Sequence, residues 1–368
     1  GGLIVENWNE MYPDGGPLGL AGWQAAFIAV GLPGLLLAVW VFTLKEPVRG
    51  LIDGMPSEPV ERPFRGFFEE LLQIIPPFTF VGAAMRSTSA LIANVAGFVG
   101  FFVAAWLITL VFDTGQGFIM GGIGLDVAIS DQWFLLAIGY YAIFSWASAL
   151  RSRDAETFSL TWGSPAFLCT ILGYGMVAFM SYATSYWGAP YGERVFEISK
   201  SELGLLLGAP AAVTGFLGVV LGGRVADWLF TKTAGGRIYV VLFGLLAPVP
   251  VIWVMFTTDS KAVFLIAAAV AQLFASSALG AAAATSQSLV LPRMRGVATA
   301  TFFLATTLVG LALGPYLAGL ISAKAGENLS LGMLSLLWAA PIGLVLLFFA
   351  LKLVPAAQEK VLAMGKGG

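Results

Sequence analysis

Histidine is absent from this sequence of 368 residues, and cysteine occurs only once, as Cys169. Without histidine the chain lacks the commonest general base, the Ser-His-Asp type of catalytic site and any histidine-ligated metal site. A single cysteine excludes an internal disulfide and a Cys-x-x-Cys metal or redox motif. The sequence therefore predicts neither an enzyme, nor catalytic residues, nor a resident metal or other cofactor.

Charged side chains are scarce as well. Asp, Glu, Lys and Arg make up 11% of the residues and hydrophobic residues 58%, whereas soluble domains carry about 25% charged residues. With so few charged side chains, a soluble globule of this size could not have a well-solvated surface. Most of the chain is therefore expected to lie in lipid. A net charge of -2 also gives no basic footprint for nucleic acid.

Long apolar runs are the dominant pattern, and each approaches the ~20 residues that a helix needs to cross a bilayer. Helices are expected because irregular backbone in lipid is too costly, and the ~10-residue alternating segments of a β-barrel are missing. The sequence thus predicts an all-α polytopic membrane protein with about nine transmembrane helices. The predicted spans are residues 22–44, 90–112, 132–150, 162–187, 203–223, 237–256, 262–289, 297–322 and 332–354.

The basic residues divide unevenly between the two alternating sets of flanking segments. Of the 19 Lys and Arg residues, 15 fall in one set, and only Arg194, Lys200, Lys261 and Lys324 fall in the other. Because Lys and Arg concentrate in cytoplasmic loops, the larger set is predicted to be cytoplasmic. We therefore expect an integral protein of the cell (inner) membrane, with an exterior N-terminus and a cytoplasmic C-terminus.

Gly223 and Asp227 form a G-x-x-x-D motif, and Arg237 opens the next predicted helix. This motif resembles the one in short cytoplasmic loops of the major facilitator superfamily, although Trp228 stands where the family usually has a basic residue. Further motifs follow in the family's order and are most similar to its spinster-like branch, over about residues 1–45 and 160–355. They are Gly22-Trp23-Gln24, Lys45-Glu46-Pro47, Trp187-Gly188-Ala189-Pro190, Pro292-Arg293-Met294-Arg295 and Gly310-Leu311-Ala312-Leu313-Gly314-Pro315.

This resemblance implies a fold in which the first span corresponds to helix six of a twelve-helix plan and the last six spans to its C-terminal bundle. Helices one to five would then be missing, and two spans would form an added hairpin. In the linker, residues 64–75 place apolar side chains on one helical face, which fits a helix in the membrane interface or a cap on the cytoplasmic side. The predicted segments are 1–44 (exterior segment and sixth-type helix), 45–89 (cytoplasmic linker), 90–150 (inserted hairpin), 151–355 (six-helix bundle) and 356–368 (cytoplasmic tail).

The resemblance also implies roles for polar and small residues. A cytoplasmic gate would use the carboxylate of Asp227 and nearby guanidinium groups, although a single Asp-Arg pair is also typical of a solvated surface. Polar stripes on two spans are candidates for a solute cavity, or for ordinary hydrogen bonds between helices. The gating candidates are Gly223, Asp227, Arg237, Arg293 and Arg295; the cavity candidates are Tyr174, Ser181, Ser185, Gln272, Ser276 and Gln287; the helix-packing candidates are Gly204, Gly208, Gly218, Gly222, Gly310, Gly314 and Pro315.

Two functions of different classes follow from these observations. The first is a partial secondary transporter that moves an organic, amphipathic or anionic solute by alternating access. The alternative is a non-transporting membrane subunit or scaffold, derived from a transporter, whose aromatic hairpin docks on another membrane protein. The expected partners are therefore the lipid bilayer, a small-molecule solute and, through the hairpin, a larger membrane complex. No Asp or Glu lies in the middle of a predicted span, so the residue that couples energy is not identified.

Overall fold

The computed structural model of the protein describes residues 2–13, 15–45, 63–112, 117–119 and 128–366. Within these residues, nine helical units are long and apolar enough to cross a membrane, which confirms the predicted fold class. The units are Gly22–Val41, Thr88–Val111, Gln132–Arg153, Pro165–Phe196, Lys200–Phe230, Gly236–Met255, Lys261–Ser288, Pro292–Lys324 and Leu329–Gly365.

In the part of the chain that the structure describes, the secondary structure is almost entirely helical, with one short two-stranded β-ladder. In that ladder, β1 (Gly117–Ile119) pairs antiparallel with β2 (Ala128–Ser130), and Gly117 lies opposite Ser130. The helices are α1 (Gly2–Met11), α2 (Gly22–Val41), α3 (Pro63–Ile74), α4 (Phe78–Arg86), α5 (Thr88–Val111), α6 (Asp131–Arg153), α7 (Ala155–Leu160), α8 (Pro165–Phe196), α9 (Lys200–Leu203), α10 (Ala209–Phe230), α11 (Gly236–Leu246), α12 (Pro248–Met255), α13 (Lys261–Ser288), α14 (Arg295–Ala305), α15 (Gly314–Lys324), α16 (Leu329–Ser335) and α17 (Ala339–Lys366).

The last six spanning units pack around α8 and α13 as one bundle. Large side chains from different helices fill its centre: Phe167, Phe264 and Phe302 are each at most 1% exposed. Lipid is as apolar as these side chains, so close packing rather than transfer out of water holds the helices together. This bundle agrees with the predicted C-terminal six-helix arrangement.

Glycines set the distance between two pairs of helices in the bundle. A Cβ atom on Gly222 would lie 2.2 Å from the carbonyl oxygen of Ser277, so α10 and α13 touch backbone to backbone there. Gly218 faces Ser276 in the same contact, while Gly310 and Gly314 face α8 in the same way. At all four positions an added Cβ would lie within 2.7 Å of an atom of the neighbouring helix, and such close approach is typical of small residues between membrane helices.

Two spans contain a widened π-helical turn just before a proline. The turns are Gly204–Gly208, ahead of Pro210, and Thr306–Leu311, ahead of Pro315. In the second, the Ala312 amide donates to the carbonyl of Thr307, five residues back, at 2.8 Å. Proline has no N–H to donate, so the backbone nearby changes its hydrogen-bond pattern. Gly204 and Gly208, also predicted as packing residues, meet no described atom within 4 Å of an added Cβ.

The hairpin of α5 and α6, predicted as an insertion, packs through α6 against the widened turn of the eighth span. The Gln132 side-chain amide donates to the Ala312 carbonyl at 2.8 Å, and the Tyr140 hydroxyl donates to the Leu308 carbonyl at 3.3 Å. In both bonds a side chain of α6 donates to a backbone carbonyl of the bundle.

The linker helix α3 covers residues Pro63–Ile74, close to the predicted 64–75, and is attached to the same hairpin. The Glu70 carboxylate accepts from the Trp146 indole at 3.1 Å and pairs with Arg153. The Phe64 and Phe67 side chains of α3 point outward and are 78% and 57% exposed. An apolar face that no described part of the chain covers favours the interfacial interpretation of this helix.

The first and last spanning helices differ in what surrounds them. The first, α2, packs on α1 and buries only Gly22, Ala25 and Ala26. The last, α17, continues through Pro355 to Lys366, so the described part of the predicted tail, residues 356–366, is helical.

Candidate functional site

A cavity of about 560 Å³ lies between α8, the Gly204–Gly208 turn, α10 and α13. Its size falls within the range of small-molecule sites, roughly 300–1,000 Å³. Most of its wall is made of glycine, alanine, leucine and methionine, and a few polar groups project into it. The polar and charged lining residues are Thr184, Ser185, Glu193, Lys200 and Gln272.

Gln272 is the central polar group of this site. It lies near the middle of α13 and also lines a small neighbouring cavity of about 20 Å³, so its amide lies between the two spaces. Gly215 on α10 lies beside it, and an added Cβ there would be in ordinary contact with the amide nitrogen, at 3.5 Å. The amide makes no hydrogen bond with any residue that the structure describes. Such a group in a membrane costs several kcal/mol unless it finds a partner.

The structure brings together three of the predicted cavity residues. Ser185 shares the larger cavity with Gln272, and Ser181 shares the smaller one. Thr184 lines both cavities beside these three positions, so the polar groups on this part of α8 and α13 are Ser181, Thr184, Ser185 and Gln272.

The other three cavity candidates have partners inside the bundle. The Tyr174 ring is buried and stacks on Phe302, with ring centres 5.1 Å apart. The Ser276 hydroxyl donates to the Leu273 carbonyl at 3.2 Å and packs on Gly218. The Gln287 amide donates to the Thr299 hydroxyl of α14 at 3.2 Å.

A charged pair at the edge of the larger cavity was not predicted. The Lys200 ammonium lies 3.7 Å from a carboxylate oxygen of Glu193, and both side chains are largely exposed. The pair bridges the end of α8 and the start of α9, and Glu197 between them has a left-handed conformation with φ of 52°. Lys200 is one of only four basic residues on its predicted side of the membrane. Basic residues are rare on that side, and this is the one feature of the sequence that could have singled out Lys200.

Asp227 and Arg237 form the predicted ion pair where α10 ends and α11 begins. An Asp227 carboxylate oxygen accepts from the Arg237 guanidinium at 2.9 Å and 3.3 Å, and the guanidinium lies 4.1 Å above the Phe230 ring. Arg237 is 19% exposed, whereas Asp227 is 71% exposed. The carboxylate therefore has unused capacity to accept bonds from outside the bundle. Gly223 meets no described atom within 4 Å of an added Cβ.

Arg293 pairs with carboxylates of the segment that follows the hairpin. Its guanidinium contacts Glu156 and lies 3.9 Å from Asp154, which caps α7 by accepting from the Thr157 amide at 3.0 Å. Burial acts to raise the pKa of Asp154, but the Thr157 hydrogen bonds and Arg293 together lower it. Arg295 begins α14 and is half-buried. The two acidic partners were not predicted, although an Asp ahead of a short helix is typical of an N-cap.

Known proteins resemble this chain in sequence and in structure. An MFS-type efflux pump of Mycolicibacterium smegmatis (strain ATCC 700084 / mc(2)155) is 25% identical over 230 residues, which cover 62% of this chain and 53% of that protein. The chain thus spans about half the length of the curated relative it matches. No protein-family model matches the chain. The sequence match confirms the predicted resemblance to the major facilitator superfamily.

Two solved structures of a bacterial homologue of the human lysosomal transporter Spinster are also similar. The inward-facing, unoccupied form has a TM-score of 0.44 and 19% identity, covering 80% of this chain and 74% of that one. The inward-facing, occupied form has a TM-score of 0.41 and 20% identity, covering 77% and 68%.

Proposed function

We propose that this relative of the major facilitator superfamily transporters is a secondary transporter whose six-helix bundle moves an organic solute by alternating access. The observation that carries the proposal is the amide of Gln272, which has no hydrogen-bond partner among the described residues and faces a cavity near the middle of the spanning helix α13. A polar group without a partner in lipid is expected to bind a solute or the water that precedes it. The similarity to an efflux pump supports the same activity.

The lining of the cavity supports an amphipathic solute. Its wall is mostly apolar, the Gln272 amide offers a donor and an acceptor inside, and Glu193 and Lys200 place both signs of charge at its edge. An apolar solute body would contact the wall while a charged group stays near the edge, where Lys200 would favour an anion.

The cytoplasmic ion pairs support a gate in the same proposal. Asp227 is anchored by Arg237 but stays exposed, so a group on a facing helix could bind the free carboxylate oxygen in one conformation. Arg293 connects the loop before α14 to α7 and thereby links the eighth span to the base of the hairpin. Breaking either contact is expected to change the balance between conformations.

Access to the cavity can be measured without knowing the solute. In a Cys169→Ala background, Ser185→Cys places one thiol in the cavity wall, and a membrane-impermeant maleimide is added to either side of proteoliposomes. We expect labelling from one side, at a rate that Asp227→Asn changes by up to about fivefold, since an exposed ion pair contributes about 0–1 kcal/mol. Asp259→Asn, an exposed loop carboxylate, is the matched control.

Two results would contradict this proposal. If the thiol at position 185 is unreactive from both sides, the cavity does not open to water. If Asp227→Asn and Asp259→Asn leave the labelling rate equally unchanged, the Asp227–Arg237 pair is a surface ion pair with no part in gating.

A membrane scaffold is the second candidate, and the outer face of the hairpin favours it. Side chains at helical spacing on α5 form an apolar stripe that no described residue covers. A partner seated there would co-purify in mild detergent at a fixed ratio, and Val99→Trp would release it without changing the thiol labelling. The exposed residues of the stripe are Ile92, Val95, Val99, Val103, Leu107 and Leu110.

A further inference from the structure

A second large cleft lies where the hairpin meets the bundle, apart from the cavity that contains Gln272. Its volume is about 910 Å³, and its walls come from α6, the end of α8 and the eighth span. The role proposed above for the bundle does not use this cleft. Its principal lining residues are Leu135, Trp187, Leu308, Leu311, Tyr316 and Lys324.

Specific contacts hold the hairpin helix α6 in place as one wall of this cleft. Gln132 and Tyr140 bond to backbone carbonyls of the eighth span. The Trp133 ring meets the Tyr316 ring edge to face, with centres 5.6 Å apart, and Gly139 lets Leu308 approach closely. The wall supplied by α6 is thus fixed at several levels along its length.

The opposite wall is also held in place. The Trp187 indole donates to the Pro315 carbonyl at 2.8 Å, and an added Cβ on Gly319 would lie 2.7 Å from that ring. The indole therefore fits only because position 319 is glycine. Tyr186 beside it is 63% exposed, and Leu311 across the cleft is 48% exposed, so a largely apolar surface faces the cleft.

One end of the cleft carries a positive charge. Lys324 is the last residue of α15, and its ammonium group lies 5.5 Å from the centre of the Phe112 ring. It makes no ion pair with any residue that the structure describes, and none of the described lining residues is acidic. Within α15, Gly314 to Lys324 spans about 15 Å, which matches the depth of one leaflet of hydrocarbon, about 15 Å.

We propose that this cleft binds an amphiphile with an acyl chain along the apolar wall and an anionic headgroup at Lys324. The apolar length suits an acyl chain, the aromatic rings suit the boundary between hydrocarbon and headgroups, and the isolated ammonium suits a phosphate or carboxylate. The chemistry fits an anionic phospholipid of the surrounding bilayer or a free fatty acid. The site does not depend on whether the bundle transports a solute.

Native mass spectrometry of the whole purified chain tests this proposal by titration with lipid. The probes are dioleoyl phosphatidylglycerol, its neutral counterpart dioleoyl phosphatidylcholine, and oleate. We expect phosphatidylglycerol to bind about fivefold more tightly than phosphatidylcholine, because one basic residue near the membrane surface contributes about that factor. Lys324→Gln should remove this preference, and Ala323→Trp, which fills the cleft from an exposed position, should weaken binding of both lipids.

Lys352→Gln is the matched control, because Lys352 also lies over a phenylalanine ring, at 4.2 Å from Phe348, but far along the chain from the cleft. The proposal is overturned if the two phospholipids bind equally, if Lys324→Gln and Lys352→Gln have the same effect, or if Ala323→Trp leaves binding unchanged. Oleate binding that depends on Lys324 in the same way would identify a fatty acid as the occupant. Binding of phosphatidylglycerol alone would identify the phospholipid.

Discussion

Replacing Gly222 by alanine should force α10 and α13 apart, whereas the same change at the adjacent Gly223 should not. The new methyl at position 222 would lie 2.2 Å from the Ser277 carbonyl oxygen and 2.6 Å from its Cα. Both are backbone atoms, so no side-chain rotation can relieve the clash. At position 223 an added methyl meets no described atom within 4 Å.

The size of the effect follows from the geometry. Ordinary contact begins at 3.4 Å, against 2.2 Å for the added methyl, so the helices must separate by about 1.2 Å. A radial gap of 0.5–1 Å already removes a quarter to a half of the dispersion energy of a contact, and overpacking of this kind costs about 1–3 kcal/mol. The gain from replacing a helical glycine by alanine, about 1 kcal/mol, is common to both variants and cancels in the comparison.

The measurement is the free energy of unfolding of each variant in detergent micelles, followed by helicity during titration with a denaturing detergent. Gly222→Ala should be about 1–3 kcal/mol less stable than Gly223→Ala. Because the two positions are neighbours on one helix, effects of helix propensity and of expression are matched. Equal stabilities would refute the conclusion that the two helices touch backbone to backbone at Gly222.

Two further predictions concern polar groups. Gln272→Leu should raise the free energy of unfolding by about 1–3 kcal/mol, because it removes an unpaired amide from the membrane. The same variant should abolish any protection that a bound solute gives the thiol at position 185 against the maleimide. Gln287→Leu, which leaves the Thr299 hydroxyl without its partner, should lower the free energy of unfolding instead. If both variants change stability in the same direction, the amide of Gln272 is not unpaired. Asp154 has a lowered pKa in the folded protein, so its contribution to stability is present above the unfolded value of about 3.9 and is lost as the pH falls through the folded pKa. The stability difference between the wild type and Asp154→Asn should accordingly be largest near neutral pH and vanish in strong acid, and a difference that grows toward acid would contradict the sign.

The number and order of the spans could be predicted because each one is an apolar run long enough to cross lipid. The helix ends could not: α8 continues to Phe196 and α17 to Lys366, beyond the predicted 187 and 354. Hydropathy responds to the solvent around a helix, whereas the helix ends where backbone bonds are broken or capped. The two π-helical turns also depend on which backbone hydrogen bonds form, and the presence of a proline in the sequence is not enough to predict such a turn.

For the candidate site, the sequence predicts which residues share a face of one helix, but not which other helix or cavity that face contacts. Gln272, Ser276 and Gln287 follow the same helical spacing, yet among them only Gln272 lacks a partner in the described part of the chain. Ser276 donates to the Leu273 carbonyl of its own helix, and Gln287 donates to Thr299 of the neighbouring α14. In the same way, Gly204 and Gly218 have equivalent spacing patterns, but a neighbouring helix approaches only the second. A pattern along one helix shows which residues share a face and does not show what that face meets.

The attachment of the hairpin to the bundle has a consequence for which residues are free to vary. Gln132 and Tyr140 donate to the carbonyls of Ala312 and Leu308, and a carbonyl is the same whatever side chain the residue carries. In a saturation library, positions 308 and 312 should therefore accept many residues of similar size without detaching the hairpin. Positions 132 and 140 should accept only side chains that can still donate, so one partner of each bond is constrained while the other is free.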